Sequence, residues 1–384
     1  MSKRSRFFAF LAALCLSSVC SSAQQSAPDK KPAAATAAED RGLLLGMYFT
    51  NAATWDELAS LSTGSEKWTP GISKEPHGKY LTLWISRSGN AVKIQPVEGL
   101  LVPRASGFWH VGTSIVTSDQ DPDFNYDEQF WATAAGQKPK PSGTDAQVDG
   151  ASVRLITYVG PDYLSYLFHW QGGAGSWEYV YPHVASLDDL ATETAVQQVL
   201  GPAAGAEFKR VAKPLDHMND EPGANGEPCN CCTIDDKEWG ILHVGDSWQS
   251  YARFHYGTSS SCAQGSDDRW LKAMLPRTVA PGGKLNKTWD ALRKDAEAVS
   301  KSDEGAVRHL FVSPKQDFAI AVGTNGVIVF AVENAHLTSV LKRQPFDAAC
   351  IPVMEQWSMG RFVSAWDAVV QKETPAALPA AATP

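Results

Sequence analysis

The chain has 384 residues, of which 43% are hydrophobic and 20% are charged, and it contains 13 Trp, 30 Gly and 23 Pro. This composition can form a sizeable core, and it excludes disordered and fibrous proteins. Residues 1–23 hold three of the 34 basic side chains and no acidic one, so the rest of the chain has 31 basic against 42 acidic side chains, a net charge of −11. A nucleic-acid partner held through phosphate contacts is therefore not expected.

Residues 1–23 have the pattern of a secretion signal peptide. Basic residues precede an apolar run over residues 7–16, and small residues lead to an expected cleavage site after Ala23. The run is too short to span a bilayer, and no later stretch approaches the roughly 20 apolar residues that a span requires. The sequence thus predicts a secreted or periplasmic protein without a membrane span in the mature chain.

The composition of the rest of the chain indicates a linker, a domain and a tail. Residues 24–40 and 373–384 are rich in Ala and Pro and lack apolar periodicity, so they are predicted to be a disordered linker and a disordered tail. Residues 41–372 are predicted to form a single mainly β domain that contains repeats, since a chain of this length is common in repeat-built β architectures.

Short strands joined by tight turns recur along this domain. Each predicted turn is rich in Gly, Asn or Ser and is flanked by β-forming residues, which is the pattern of an antiparallel hairpin. The turns lie at residues 88–90, 105–107, 159–160, 244–245 and 322–326.

Two of these hairpins belong to an internal repeat. The segment from Val159 to Pro182 recurs from Val244 to Pro276, with Val-Gly, Ser-Tyr, Phe-His, Trp and Pro in the same order. The offset between the copies is 85 residues at the Val-Gly pair and 94 at the Pro, which indicates an insertion around residues 257–268. Each copy is followed by apolar residues at helical spacing, which predicts helices near 186–200 and 287–300.

The repeated hairpins predict a mainly β fold of antiparallel strands, propeller-like, with these two accessory helices. An α+β fold built from a duplicated unit of three strands and a helix is the alternative. The even spread of hairpins favours the propeller, and the helix after each copy favours the duplication.

A catalytic hypothesis starts from the Gly-Asp-Ser sequence at 245–247, which follows a predicted apolar strand. It resembles the nucleophile block of the SGNH family of lipases and esterases, and residues 323–326 resemble that family's oxyanion-hole block. The resemblance implies Ser247 as a nucleophile. Gly326, however, replaces the Asp of that block, and the nearest approach to the family's Asp-x-x-His block is Glu-Asn-Ala-His at 333–336.

The repeat provides another interpretation of the same serine. The first copy has Pro161-Asp162 at the positions of Asp246-Ser247, so small polar residues there suit the turn whatever their chemistry. A serine without a base and an orienting acid is an ordinary alcohol. Ser247 is therefore a weak catalytic candidate.

The mature chain contains five cysteines, and disulfides are the default in an oxidising compartment. We expect one bridge from the cluster at 229–232 to the loop of the second repeat, with a metal or redox site as alternatives. The fifth cysteine is flanked by apolar residues, so it is either a second partner or an inert buried thiol. The disulfide candidates are Cys229, Cys231, Cys232, Cys262 and Cys350.

An acidic run offers oxygen ligands at every second residue, which suits a loop wrapped around calcium, although a solvated acidic loop is the alternative. An EF-hand is excluded because Phe124 and Phe130 occupy the positions of its Gly and its bidentate Glu. The candidate calcium ligands are Asp119, Asp121, Asp123, Asn125 and Asp127.

Aromatic side chains suggest either a β core or stacking on sugars. Trp residues at 84, 109, 177, 239 and 270 fall in predicted strands, which favours the core. With no complete catalytic constellation, we expect a non-enzymatic protein that binds a protein or a glycan at the cell envelope. An envelope hydrolase, either an esterase or a glycosidase, is the alternative.

Overall fold

A computed structural model describes the chain in ten segments, residues 40–50, 78–117, 126–138, 150–171, 178–219, 232–256, 265–272, 287–300, 306–346 and 348–379. Strands predominate in these segments and are arranged in four sheets.

The first sheet joins the two ends of the domain. Its strands are β1 (Arg41–Thr50), β2 (Gly78–Ser88), β3 (Ala91–Glu98) and the last strand of the chain, β19 (Ala349–Met359), in the order β19-β1-β2-β3. All neighbours are antiparallel, and β1 pairs with β19 from end to end. Every residue of β1 is buried because strands pair with both of its edges and its two faces pack into different hydrophobic clusters.

The second sheet has seven strands, and strands that follow one another in the chain are neighbours in the sheet. Its neighbours are antiparallel except β6 and β7, which pair in parallel over two residues. The strands are β4 (Leu100–Arg104), β5 (Gly107–Thr117), β6 (Tyr126–Ala134), β7 (Ala151–Val159), β8 (Tyr163–Gln171), β9 (Glu178–Ser186) and β10 (Asp189–Glu193).

The third and fourth sheets have four strands each, and all their pairs are antiparallel. In the third sheet, β13 is central and pairs with the other three strands. The third sheet contains β11 (Cys232–Thr233), β12 (Trp239–Val244), β13 (Ser247–Tyr256) and β14 (Gly265–Leu271). The fourth contains β15 (Val307–Val312), β16 (Phe318–Gly323), β17 (Gly326–Glu333) and β18 (His336–Pro345) in sequential order.

The predicted fold class is confirmed as a mainly β chain of repeated antiparallel hairpins. All five predicted turns connect neighbouring strands, including the repeat turns between β7 and β8 and between β12 and β13. Four-stranded sheets and closure by the first and last strands give the fold its propeller-like character. The seven-stranded sheet is the departure from regular blades.

The helices differ from the prediction. The described segments contain α1 (Val196–Leu200), α2 (Pro202–Asn219), α3 (Lys287–Ser300) and α4 (Arg361–Val370), of which α3 matches a predicted helix. No helix in these segments has the length and apolarity needed to cross a membrane.

The helix predicted over 186–200 was wrong in its first half, where β10 lies instead. The Ser186 hydroxyl accepts from the Asp188 amide at 3.2 Å and so shapes a hairpin turn, and the Leu187 amide donates to the Asp162 carbonyl. Gly201 ends α1 and Pro202 begins α2, because proline fits the first position of a new helix.

Residues after α4 run along the edge of β3. Val97 and Pro375 form an antiparallel bridge, and the Ala376 amide donates to the Pro96 carbonyl at 3.1 Å. Residues 373–384 were predicted to be a tail from their composition, whereas residues 373–379 are described and cover the edge of this sheet.

Hydrophobic clusters join most of the sheets. Leu44, Val111 and Tyr251 belong to one cluster that joins the first three sheets. A second cluster joins the first and fourth sheets, and a third joins the second and third sheets with α1 and α2. A fourth packs α3 on the fourth sheet. Within the described segments, no cluster contains residues of both the third and the fourth sheet.

Candidate functional site

The Gly-Asp-Ser sequence lies at the turn between β12 and β13. Gly245 has a φ of 59°, and a two-residue hairpin turn with glycine at its first position needs this backbone conformation. Asp246 is the second turn residue, and Ser247 begins β13 opposite Val244. Turn geometry therefore accounts for glycine at the first of these positions without any catalytic role.

Asp246 attaches this turn to the fourth sheet and to α3. Arg293 of α3 donates Nε to the Asp246 Oδ2 at 2.7 Å and its terminal nitrogen to Oδ1, while the Leu310 amide of β15 donates to Oδ1 at 3.0 Å. The hydrogen bonds to Asp246 raise the pKa of the Arg293 guanidinium. Asp246 is thus an anchor between elements distant in sequence.

Ser247 has no base beside it in the described structure. Its hydroxyl accepts from the Gln249 side-chain amide at 3.2 Å, and no described hydrogen bond joins it to an imidazole. His336, which belongs to the other block of the SGNH resemblance, begins β18, and its Nδ1 lies 3.2 Å from the Asp295 carboxylate of α3. The described residues therefore do not form a catalytic triad around Ser247.

Two buried histidines face each other behind the turn. The Nδ1 atoms of His243 on β12 and His309 on β15 lie 2.9 Å apart, and the His309 Nδ1 also lies 3.2 Å from the Gly245 carbonyl oxygen. A carbonyl oxygen only accepts, so the His309 Nδ1 carries the proton and donates to both neighbours. The Nδ1 of neutral His243 is then the acceptor, and its proton lies on Nε2.

A buried carboxyl group lies next to this pair. Trp248 of β13 donates its indole N–H to the Glu355 Oε2 at 3.0 Å, and Trp357 donates to Oε1 at 2.6 Å. Burial raises the pKa of Glu355, and the two indole hydrogen bonds oppose that rise because they favour the ionised form. The rings of His243 and Tyr158 both pack edge-on against Trp248, with centroids 4.9 Å away.

We call His243, Trp248, His309, Glu355 and Trp357 the central polar network. With Tyr158 of β7, its members come from all four sheets, so the network lies where the sheets meet. The carboxyl oxygens and the facing imidazole nitrogens have partners inside the protein, which is the condition for a stable buried polar group. Within the described segments, no group of three or more His, Cys, Asp or Glu side chains is placed to hold a metal.

Of the five candidate calcium ligands, Asp127 on β6 is described, and the other four lie outside the described residues. The Asp127 Oδ1 accepts from the Ser152 hydroxyl and from the Arg154 guanidinium. The guanidinium also lies over the Phe168 ring, 4.8 Å from its centroid. In this arrangement Arg154 provides the positive charge next to Asp127.

Of the disulfide candidates, Cys350 is described with its side chain, which is buried. Its position in β19 within the cluster between the first and fourth sheets explains this, and burial raises its pKa to about 12. The bridge expected from the 229–232 cluster to Cys262 lies outside the described residues, apart from the backbone of Cys232 in β11.

Of the four described tryptophans that were predicted to fill the core, Trp84 and Trp239 are fully buried, whereas Trp109 and Trp270 are half-buried. Trp131 of β6 is also half-buried, and it lies against the backbone of β5. A Cβ at its cross-strand partner Gly112 would come within 2.5 Å of the indole ring, and the indole N–H donates to the Thr113 carbonyl at 3.1 Å. Gly112 leaves the space that the ring occupies, and this hydrogen bond fixes the ring against β5.

Sequence reasoning missed Arg293, His309, Glu355 and Trp131. The first three act through partners that are 47, 66 and 107 residues away, and no local pattern signals such contacts. For Trp131 a signal exists, since a glycine inside a strand often marks the close approach of another group.

Comparisons with known proteins leave the family open. No family model matches the chain, and no curated protein matches it. Among solved structures, the periplasmic gluconolactonase PpgL of Pseudomonas aeruginosa aligns over 82% of this chain and 99% of its own, with 10% identity and a TM-score of 0.21. At these values the likeness carries no information about the activity of this chain.

Proposed function

We propose that this chain is a non-catalytic binding protein that acts at the cell envelope, with a glycan as its ligand. The signal-like residues 1–23 support the envelope location. Support for a non-catalytic role comes from the turn at 245–247, where the Asp246 carboxylate is engaged by Arg293 and Ser247 has no described base.

The observation that favours a glycan over a protein is the geometry of Trp131. Its ring contacts Gly112 and its N–H is bonded to the Thr113 carbonyl, so the ring is fixed on the sheet while part of it stays accessible to solvent. The apolar C–H face of a pyranose packs well on such a ring, and a ring held in place loses little entropy on binding.

A polar pair lies near this ring. His110 is a diagonal neighbour of Trp131 across the β5–β6 pair, and its Nε2 lies 2.8 Å from the Glu373 carboxylate. Sugar hydroxyls need polar partners at the rim of an aromatic surface, and this pair supplies them on the strand next to Trp131.

Binding of the purified mature protein to isolated peptidoglycan sacculi and to an oligosaccharide array tests the proposal. We expect Trp131→Ala to weaken binding by about tenfold or more and Trp131→Phe to retain most of it, because Phe keeps an aromatic face. Trp109→Ala is the matched control, since this half-buried Trp on β5 points to the other face of the sheet. Equal binding by the wild type and Trp131→Ala, or capture of an envelope protein without any glycan binding, would reject the glycan assignment.

The hydrolase alternative makes a different prediction. Generic ester and glycoside substrates should not be turned over by the purified protein, because the Ser247 hydroxyl has no described base to activate it. A turnover that is present in the wild type and lost in Ser247→Ala would overturn the non-catalytic assignment.

A further inference from the structure

The contact between the third and fourth sheets differs from the other sheet contacts. The other contacts contain large apolar clusters, whereas no described cluster spans these two sheets. Here the turn between β12 and β13 lies against β15 and α3. We call this contact the polar seam, defined by His243, Gly245, Asp246, Arg293, His309 and Leu310.

The hydrogen bonds across the seam involve titratable side chains. Asp246 accepts from the Leu310 amide and the Arg293 guanidinium, and His309 donates to Gly245 and to His243. An apolar contribution comes from the Phe311 ring, whose centroid lies 4.9 Å from that of His243. The stability of the seam therefore depends on the protonation of a few side chains.

Adding a proton disrupts the histidine pair. A proton on the Nδ1 of His243 would place two N–H donors opposite each other at 2.9 Å, which removes the hydrogen bond. A proton on the Nε2 of His309 would keep that bond but create a positive charge in a side chain that is 8% exposed.

The surrounding charges do not compensate for this proton. Arg293 of α3 and Arg308 of β15 both repel a charged His309, and Asp246 already pairs with Arg293. The Trp248 ring lies between His243 and Glu355 of β19, and its indole N–H donates to the Glu355 carboxylate. Burial is the main reason that the pKa of His309 is lowered to about 4. The pKa of His243 is held well below its ordinary value by burial first, and then by the charges of His309 and Arg293.

We propose that the polar seam is an acid-released latch: mild acid frees the β12–β13 turn from β15 while the apolar sheet contacts stay closed. A histidine exposed by opening regains an ordinary pKa of about 6.5, so the open form binds more protons than the closed form below that pH. The closed seam is fully favoured above about pH 6.5 and loses stability as the pH falls toward about 4. Each histidine increases the equilibrium constant for opening by up to about tenfold for each unit by which the pH falls in this window.

Hydrogen exchange of the purified mature protein at about pH 7 and about pH 5, corrected for the chemical exchange rate, tests the latch. The reporter is the Leu310 amide, which is bonded to Asp246 across the seam. We expect the protection of this amide to fall at about pH 5 by a factor at least about ten times larger than for amides in β17. The protection should recover when the pH is restored. Unchanged protection at Leu310, or an equal loss in β17, would overturn the proposal.

A double variant, His243→Asn with His309→Asn, separates the histidines from other acid effects. An amide nitrogen at 309 and an amide oxygen at 243 can replace the two Nδ1 atoms in the hydrogen bond, and neither titrates. Protection at Leu310 should then be nearly independent of pH, and a fall equal to that of the wild type would reject the histidines as the trigger. His336→Asn, which replaces an exposed histidine of the fourth sheet, should behave as the wild type.

A wild-type measurement keeps the proposal testable if the double variant does not fold. Deuterium exchange at the imidazole C–H groups reports the pKa of each histidine without a substitution. We expect His243 and His309 to titrate well below the ordinary imidazole pKa of about 6.5, and ordinary titration of both would overturn the proposal.

Discussion

Replacing Arg293 by alanine is expected to lower the free energy of unfolding by about 3 kcal/mol, because the substitution leaves the partly buried Asp246 carboxylate without its cation. The side chains of Arg293 and Asp246 are 25% and 12% exposed, so water replaces the lost partner only in part. Urea unfolding followed by Trp fluorescence measures this loss as a shift of the midpoint.

A matched control for this prediction is Arg210→Ala. Arg210 of α2 makes the same two-bond contact with Glu207, at 2.7 Å for each bond, but its side chain is 60% exposed. Solvent screens this pair, so we expect a far smaller loss than at Arg293. Equal losses in the two variants would contradict the argument that burial sets the strength of the contact.

Replacing Trp84 by alanine is expected to cost about 3–5 kcal/mol, since the side chain is fully buried in the first sheet and its removal leaves a cavity. The substitution also removes the indole hydrogen bond to the Asp367 carboxylate of α4, which measures 3.0 Å. Trp84→Phe retains an aromatic ring and should lose much less. Urea unfolding compares the variants, and similar losses for Ala and Phe would show that the hydrogen bond, not the cavity, dominates.

Gly42 of β1 provides a second test of the same packing. A Cβ at this position would lie 2.1 Å from the Trp84 ring, so Gly42→Ala in the wild type should destabilise by about 1–3 kcal/mol. In the Trp84→Ala background the new methyl group enters the vacated space, and this penalty should largely disappear. Gly112→Ala, which clashes with Trp131 in another sheet, is the control and should cost the same in both backgrounds.

The hairpins could be predicted from the sequence because their information is local. Gly89, Gly107 and Gly245 each have a positive φ at or beside a short turn, and the flanking residues are β formers. A turn of two or three residues determines which strands pair, so the prediction needed no knowledge of distant residues. Burial of Cys350 was likewise one of the two states that its apolar neighbours indicated.

The candidate site could be predicted only in part. The Gly-Asp-Ser sequence attracted attention as a nucleophile block, and the repeat supplied its interpretation as a turn. The roles of Asp246 and His243 depend on Arg293 and His309, which come from later elements of the chain. No spacing in the sequence relates these residues, because they meet only when the third and fourth sheets pack.

Local residue chemistry is sufficient to specify the short strands, the turns with glycine at the required positions and the apolar residues of several cores. Only the packed molecule shows that β1 pairs with β19 across about 300 residues of chain and that Trp248 reaches Glu355, 107 residues away. Turn geometry involves only a few residues and follows from their conformational preferences. Contacts between sheets depend on the closure of long loops and on the fit of whole surfaces, to which residues from every part of the chain contribute.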